Sequence, residues 1–252
     1  MEIATPTAAA RPRDYVAVHG PDAVDFLQRM VSNDVAQAPC AALLLTPKAR
    51  VIAPLVLVKR SEDDFLLLTE PGLGEIVRST LLRARFAAKC EIELEEHTSH
   101  LVFGFAEGIP NEEYGVPAVE VLDTPFPSEL AGEEELERMR IQARRPRWGR
   151  EIDDRVLPAE AGLTETHVSF SKGCYPGQEP IARLHHRGKA NRTLRALEVE
   201  GRPDPETEVF LGGTVVGRIT SSVAGLALAY VRTEVPADAD LTVGGARASS
   251  VP

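Results

Sequence analysis

The residue best suited to chemistry in this chain of 252 residues is a cysteine in a glycine-containing stretch. Cys174 stands third in the run Lys-Gly-Cys-Tyr-Pro-Gly-Gln-Glu, which covers residues 172–179. A lysine near a thiol favours the thiolate, the reactive form of cysteine. A helix starting at Gln178 adds to this effect only if the loop folds back over it, because the helix dipole fades within one turn. The spacing alone leaves two hypotheses: a reactive thiol, or a small residue packed in a tight turn.

The other cysteines and the histidines are weaker candidates. Cys40 and Cys90 are predicted to be packing residues, since three scattered cysteines are too few for a disulfide framework. Three cysteines are also fewer than the four thiolates that usually hold an iron–sulfur cluster. Cys174 with His167, His185 and His186 matches no zinc spacing, and adjacent histidines on a helix point to different faces. We therefore expect no metal site within the chain, while a cluster bridged between two chains through Cys174 stays open.

Hydrophobic spacing predicts the elements that must position this cysteine. Apolar residues at helical spacing predict helices at 22–31 and 74–86. Acidic residues in the first turn and arginines in the last predict a helix at 133–143, and Pro180 fits the first turn of a short helix at 178–186. Apolar runs between turn residues predict strands at 15–18, 42–46, 51–59, 65–69, 90–94, 101–105, 118–122 and 167–170. We expect the first thirteen residues to be frayed and 124–132 to be a linker. This alternation indicates small layers of helix and sheet.

Beyond residue 191 the pattern changes to short strands joined by Gly-Pro, Gly-Gly and Ser-Ser turns. The strands are predicted at 193–199, 208–211, 214–220, 226–231 and 241–243. Such a series is typical of a small all-β domain. The sequence thus predicts an α+β fold, with one region over residues 1–190 and a β-barrel over 191–252.

Composition and charge limit the classes of function. The chain is 43% hydrophobic and 26% charged, as is usual for a folded protein, and its net charge of −10 disfavours wholesale nucleic-acid binding. Between Arg138 and Arg195, however, stand 13 basic and 6 acidic residues. That window favours either a face for an anionic ligand or arginines paired with the acidic remainder. Since no apolar run reaches membrane-spanning length and the N-terminus has no export signal, we expect a cytoplasmic protein without membrane contact.

The motif at 172–179 resembles the signature of the YgfZ family, the folate-binding relatives of the glycine-cleavage T-protein that support iron–sulfur proteins. Further stretches resemble the family in the same order along the chain: 18–35, 43–58, 140–153, 158–163, 187–192 and 213–222. The resemblance implies T-protein-like subdomains around a central cavity. Two interleaved α/β subdomains would form the folate-binding region of residues 1–190, and a barrel would follow.

The resemblance also implies the site residues. It assigns chemistry to Cys174 and Lys172, tetrahydrofolate binding to Tyr175, Gln178, Glu179, Arg140 and Trp148, and no residue to a metal. True T-proteins use an aspartate in a hairpin stretch, whereas the matching residues 50–54 here contain no carboxylate. Since a general acid or base needs an ionisable group within reach, aminomethyl transfer is disfavoured. Ala49 stands where the family usually has glycine, and Gln142, Arg144 and Arg145 also depart from its pattern.

Three functions follow as expectations. The first is a folate-binding accessory protein that supports assembly, maintenance or repair of iron–sulfur enzymes through Cys174. The second is a folate-dependent one-carbon transferase or demethylase. The third is a scaffold that binds a partner through the basic face. The expected partners are folate and iron–sulfur enzymes or their assembly machinery. tRNA contact is a weaker expectation, because aromatic residues make up only 5% of the chain. The chain is expected to be a monomer.

Overall fold

The computed structural model describes residues 7–125 and 132–251. Its strands are β1 Thr7–Ala10, β2 Asp14–His19, β3 Cys40–Leu45, β4 Val51–Ser61, β5 Asp64–Thr69, β6 Glu91–Glu95, β7 Ser99–Phe103, β8 Ile109–Asn111, β9 Ala118–Leu122, β10 Arg192–Glu198, β11 Glu208–Leu211, β12 Thr214–Val223, β13 Leu226–Arg232, β14 Leu241–Val243 and β15 Ala246–Ser250. Its α-helices are α1 Ala23–Met30, α2 Gly74–Arg85, α3 Glu133–Gln142, α4 Thr164–His167 and α5 Gln178–Arg187.

These elements sort into two units that alternate along the chain. Unit 1 comprises Met1–Asn111, Ala118–Leu130 and Leu163–Ala182. Unit 2 comprises Glu112–Pro117, Ala131–Gly162 and Arg183–Pro252. The cysteine motif up to its first helical turn therefore belongs to unit 1.

Unit 1 is built on two antiparallel sheets. The first has the strand order β3-β4-β5-β2-β6 and the second the order β1-β7-β9-β8. Strand β5 is buried over nearly its whole length, so its apolar run is continuous, whereas β4 alternates between buried and half-buried positions. Tyr15, Leu66 and Leu68 of the first sheet pack with Ile109 and Leu122 of the second. Burial between the sheets is thus the apolar contribution that holds this unit together.

A buried ion pair adds a polar contribution to the same unit. Arg13 pairs with Glu120, whose carboxylate also accepts hydrogen bonds from Ser99 Oγ at 3.2 Å and Asn111 Nδ2 at 2.8 Å. A charge taken out of water is tolerated when it is paired and hydrogen-bonded, as here. Together with strand β1, this pair shows that the prediction of a frayed N-terminus is wrong from residue 7 onward.

Unit 2 contains a closed antiparallel barrel of six strands in the order β10-β13-β12-β11-β14-β15. The circle closes where β15 pairs with β10, with Leu197 opposite Ser250. Ile141 of α3 is fully buried against apolar residues of the barrel strands. The predicted C-terminal barrel and the α+β class are confirmed.

Two other element predictions need correction or completion. Residues 167–170 form no strand: α4 ends at His167, and the backbone amide of Ser169 donates to the carbonyl of Ser32 outside any sheet ladder. The pattern also missed β15, because its alanines, serines and arginine carry little apolar signal. Most of the predicted linker at 124–132 lies outside the described residues. Among the helices of the described ranges, none has the length and apolar character needed to cross a bilayer.

His97 connects the ends of two strands of unit 1. Its Nδ1 lies 2.6 Å from Asp123 Oδ2 and its Nε2 lies 2.8 Å from Glu95 Oε2. Burial is the largest influence and lowers the pKa of this imidazole. The hydrogen bonds to the two carboxylates together outweigh it and raise the pKa above its usual value. A raised pKa in the folded state means that protonation stabilises the fold at pH below the unfolded value, and that this stabilisation is lost as pH rises through the folded pKa.

We therefore expect His97→Asn to lower the melting temperature at about pH 5.5 and to have a smaller effect at about pH 9, because the ring loses its proton as pH rises through its folded pKa. His19→Asn is the matched control, because the Nε2 of that exposed ring lies 4.0 Å from its nearest carboxylate oxygen. Thermal unfolding followed by circular dichroism across this pH range measures both. An equal loss for His97→Asn at both pH values would show that the imidazolium does not contribute.

Candidate functional site

Cys174 lies in a loop of residues 168–177, which we call the cysteine loop, between α4 and α5. Its side chain is exposed, whereas Cys90 is buried and Cys40 is half-buried. Burial raises the pKa of the Cys90 thiol. Burial, with a smaller contribution from Asp34, raises the pKa of Cys40 to about 11. Since the thiolate is the nucleophile and metal ligand, Cys174 is the thiol that a reagent or client in solvent can reach.

Residues 31–34, the first part of the connection between α1 and β3, lie directly against the start of the cysteine loop. The hydroxyl of Ser32 donates to the carbonyl of His167 at 2.6 Å and accepts from the amide of Leu43 at 2.8 Å. The carbonyl of Ser32 accepts from the amide of Ser169 at 3.0 Å. Ser32 is fully buried, so these bonds are shielded from water. One serine therefore joins β3, α4 and the loop.

Asn33 repeats this arrangement one residue later. Its Nδ2 donates to the carbonyl of Ala41 at 2.7 Å and to that of Thr166 at 3.3 Å. Asp34 then caps a short 3-10 turn at Val35–Gln37 by accepting from the amide of Ala36. In the sequence these polar residues follow the predicted helix 22–31 and lie within the stretch 18–35 that resembles the family, but their contacts were not predicted. The sequence offered one signal: Ser32 and Asn33 follow the end of the predicted helix, where their side chains are not needed as helix caps and can bond to other segments.

Lys172 points away from bulk solvent toward the same connection. Its Nζ donates to the carbonyl of Val31 at 2.8 Å and to that of Asn33 at 2.7 Å, and it lies 5.5 Å from the centre of the Tyr175 ring. Burial lowers the pKa of Lys172 to about 8, partly offset by Asp34 and Cys40. Its described contacts are therefore with backbone carbonyls. An effect of Lys172 on the thiol of Cys174 stays a prediction.

Tyr175, next to the cysteine, is 7% exposed. Its hydroxyl has no hydrogen-bond partner within the described part of the chain. Burial alone raises the pKa of this phenol to about 12, so the group is a neutral donor at physiological pH. A buried hydroxyl without a partner carries an unsatisfied desolvation cost, which a bound ligand atom or water can remove.

Gly177 fixes the far end of the cysteine loop against a hairpin turn. Its φ is +84°, and a Cβ added there would lie 2.7 Å from the carbonyl oxygen of Thr46 and 3.0 Å from the Cα of Ala49. Ala49 is itself buried with a φ of 59°, in the left-handed region that glycine adopts most easily. The family glycine that Ala49 replaces thus corresponds to a backbone requirement of this turn. The hairpin and the cysteine loop touch through backbone atoms.

The remaining predicted site residues lie elsewhere. Gln178 and Glu179 form the first turn of α5, half-buried and exposed respectively. Arg140 and Trp148 belong to unit 2. The structure therefore brings Cys174, Lys172, Tyr175 and Gln178 together along one segment, and it holds Arg140 and Trp148 in the other unit.

Arg140 is buried, and its guanidinium is occupied by protein groups. It donates to Glu137 at 2.7 Å, to Glu151 at 3.0 Å and to the carbonyl of Arg145 at 2.6 Å. Glu151 also accepts from Ser221 Oγ at 2.6 Å. Burial opposes the charge of Arg140, but these two glutamates outweigh it and raise the pKa of the guanidinium. Its contacts are those of a structural ion pair in unit 2.

Comparisons with known proteins agree with this architecture. Residues 191–252 match the family described as CAF17, C-terminal beta-barrel domain. An uncharacterized protein of Haemophilus influenzae is 28% identical over 203 residues, which cover 76% of this chain and 72% of that protein. The mitochondrial iron–sulfur cluster assembly factor IBA57 of Mus musculus is 42% identical over 71 residues, which cover 28% of this chain and only 20% of that protein.

A likeness in structure extends further along the chain. The crystal structure of the glycine cleavage system aminomethyltransferase T from Bartonella henselae matches with a TM-score of 0.84 at 18% sequence identity. The match covers 98% of this chain and 85% of the bacterial one. At this identity the likeness shows the fold.

The close approach of Gly177 to the hairpin gives a stability prediction. We expect Gly177→Ala to lower the free energy of unfolding by more than about 1 kcal/mol, because the added Cβ meets backbone atoms at a positive φ. Gly173→Ala is the matched control in the same loop, since no atom lies within 4 Å of a Cβ added there. Urea unfolding of both variants measures the difference. Equal urea midpoints for the two variants would show that the hairpin turn shifts to make room for the added Cβ at little cost in stability.

Proposed function

We propose that this chain is a YgfZ/CAF17-like protein with the aminomethyltransferase fold and that it supports the assembly, maintenance or repair of iron–sulfur enzymes. The CAF17-type barrel supports the proposal, as does a relative named as an iron–sulfur cluster assembly factor. Because that relative is matched over a fifth of its length, its role is extended to this chain as a proposal only.

The observation that carries the proposal is the exposed thiol of Cys174 on a loop fixed at both ends. Ser32 bonds to Ser169 and, with Asn33, to the end of α4 just before the loop, Lys172 bonds to the connection after α1, and Gly177 packs tightly at the end of the loop. A thiol held in this way can act as nucleophile, redox group or cluster ligand without reorganising the backbone.

The thiol of Cys174 supplies one sulfur to this chemistry. Within residues 7–125 and 132–251, no three His, Cys, Asp or Glu side chains are grouped so as to hold a metal ion. An iron–sulfur cluster therefore enters the proposal as substrate, and the client supplies its other ligands.

Tetrahydrofolate is the second part of the proposal. The unpartnered hydroxyl of Tyr175 fits a ligand that offers a hydrogen-bond acceptor beside the cysteine loop. Arg140 does not fit the role of holding an anionic folate tail, because its guanidinium is already occupied by Glu137 and Glu151. Bound folate would supply one-carbon chemistry, and this chain's own contribution is to bind and orient it.

Features of the structure weigh against the two alternative functions. A transferase or demethylase needs an acid or base near the hairpin, and residues 50–54 provide no carboxylate. A scaffold with a basic face needs free cations, yet several arginines of the basic window pair with glutamates. The pairs are Arg140 with Glu137 and Glu151, Arg145 with Glu112, Arg147 with Glu137, and Arg192 with Glu160. Part of the positive charge is therefore neutralised within unit 2.

The first prediction from this proposal concerns Cys174→Ala. Because the side chain is exposed, we expect a loss of at most about 1 kcal/mol in the free energy of unfolding. Restoration of iron–sulfur enzyme activity in a deletion strain should nevertheless fail, since alanine supplies no thiolate. Cys40→Ala and Cys90→Ala are controls that should restore activity wherever they fold. Full restoration by Cys174→Ala would contradict the proposed role of the thiol.

The second prediction concerns folate. We expect tetrahydrofolate to bind with at least micromolar affinity, about −8 kcal/mol, in isothermal titration calorimetry. Tyr175→Phe should weaken binding about tenfold while leaving the melting temperature unchanged or higher, because it removes a buried hydroxyl that has no partner. Tyr230→Phe is the contrasting control, since that hydroxyl donates to the carbonyl of Glu151 at 2.8 Å and its loss should destabilise unit 2.

Two results would separate the parts of this prediction. Neither heat nor a thermal shift at millimolar tetrahydrofolate would overturn folate binding itself. Normal binding by Tyr175→Phe would show that folate binds without this hydroxyl.

A further inference from the structure

We infer that Lys172 is a positioning residue, which holds the cysteine loop on the C-terminal end of α1, and that it does not act as the electrostatic activator of the Cys174 thiol. The inference deepens the proposed function in that it takes Cys174 as the working residue. The contacts that support it are independent of any client or cofactor.

The position of the Lys172 side chain is the first support. Helix α1 ends at Met30, and Val31 is its C-cap, whose amide still bonds to the carbonyl of Leu27. Lys172 Nζ donates to the carbonyl of Val31, where the chain has turned to an extended conformation, and to that of Asn33, two residues further on. A lysine from a distant segment thus supplies hydrogen bonds to the backbone that leaves α1.

The other basic side chain near this helix end is engaged elsewhere. Arg29 stands in the last turn of α1, but its Nε donates to the carbonyl of Asp25 at 3.1 Å, one turn back and on the exposed surface. The carbonyls that follow the helix therefore receive their cation from Lys172. This contact spans 141 residues of sequence, so it ties the loop to a distant part of the chain.

The charges around Lys172 are the second support. The groups that influence its ammonium are Asp34 and Cys40, and the ring of Tyr175 lies 5.5 Å away. The neutral amine keeps two N–H donors for the two carbonyls, so the contacts survive loss of the proton. Because burial lowers the pKa of Lys172 to about 8, the docked loop binds fewer protons than a released one between about pH 8 and pH 10. Rising pH in that range favours the docked loop.

Positioning and activation predict opposite outcomes for Lys172→Met, which keeps the apolar stem and removes the donors. If Lys172 positions the loop, amide hydrogen exchange across residues 168–175 should accelerate at least about tenfold, because hydrogen bonds from a charged donor are lost. The pH midpoint for alkylation of Cys174 by iodoacetamide should stay where it is in the wild type. If Lys172 activates the thiol, exchange should be unchanged and the alkylation midpoint should move to higher pH.

The experiment is hydrogen exchange and iodoacetamide alkylation of the purified full chain, both read by mass spectrometry on the peptide containing Cys174. Lys48→Met is the matched control, because that lysine is exposed in the hairpin turn of the same unit. Lys172→Arg should lie between wild type and Lys172→Met in exchange, since a guanidinium can still donate to carbonyls. It also serves as the test if Lys172→Met fails to fold.

The outcomes decide the inference without reference to the proposed function. Accelerated exchange with an unmoved alkylation midpoint supports it, as does wild-type protection that persists at about pH 9. Unchanged exchange, or a midpoint moved to higher pH, overturns it. Because no client or folate is present, failure here leaves the complementation test of Cys174 standing, and failure of that test leaves the positioning contacts standing.

Discussion

Hydrogen bonds from one short connection, residues 31–34, hold the loop on which the exposed thiol lies. The cysteine loop has no strand partner, so its buried backbone groups must be satisfied by side chains or by isolated backbone bonds. The amide of Ser169 meets that requirement through the carbonyl of Ser32. Ser32 and Asn33 bond to carbonyls of α4 just before the loop, and Lys172 bonds from within the loop to the carbonyl of Val31. Close backbone packing at Gly177 fixes the end of the loop. The thiol of Cys174 is accessible to solvent because neighbouring residues such as Lys172 and Gly177, and not the cysteine, make the contacts that hold the loop.

How far the sequence predicts this arrangement depends on the range of each contact. Strand β9 was predicted at its observed bounds because a short apolar run bounded by polar residues is a local signal. The motif around Cys174 identified the loop, but not the partners of Lys172, which lie about 140 residues earlier and leave no local pattern. The strand predicted at 167–170 failed for the same reason, since alternation does not reveal where backbone bonds go. Glu137, three residues before Arg140, was a readable sign that this arginine has a structural partner.

The contacts of the arginine-rich window between Arg138 and Arg195 alter the interpretation of its positive charge. A sequence count sees positive charge, whereas the fold places Arg140 in a buried group with Glu137 and Glu151, which also reaches Ser221 and Tyr230 of the barrel strands. Burying these charges is favourable only because each is paired and hydrogen-bonded. The group thereby joins α3 and the segment after it to the barrel. Part of the positive charge that the composition suggested for binding a ligand therefore forms ion pairs that connect elements within unit 2.

The closure of the barrel by β15 sets an order on folding during synthesis. Strand β10 pairs with β13 on one edge and with β15 on the other. Strand β14 also pairs with β15. Until β15 has left the ribosome, both strands present open edges that can pair with other chains. The segments of unit 1 end at residue 182, so its sheets and the start of the cysteine loop can dock earlier. A nascent chain can therefore dock the loop that carries its thiol while its barrel is still open.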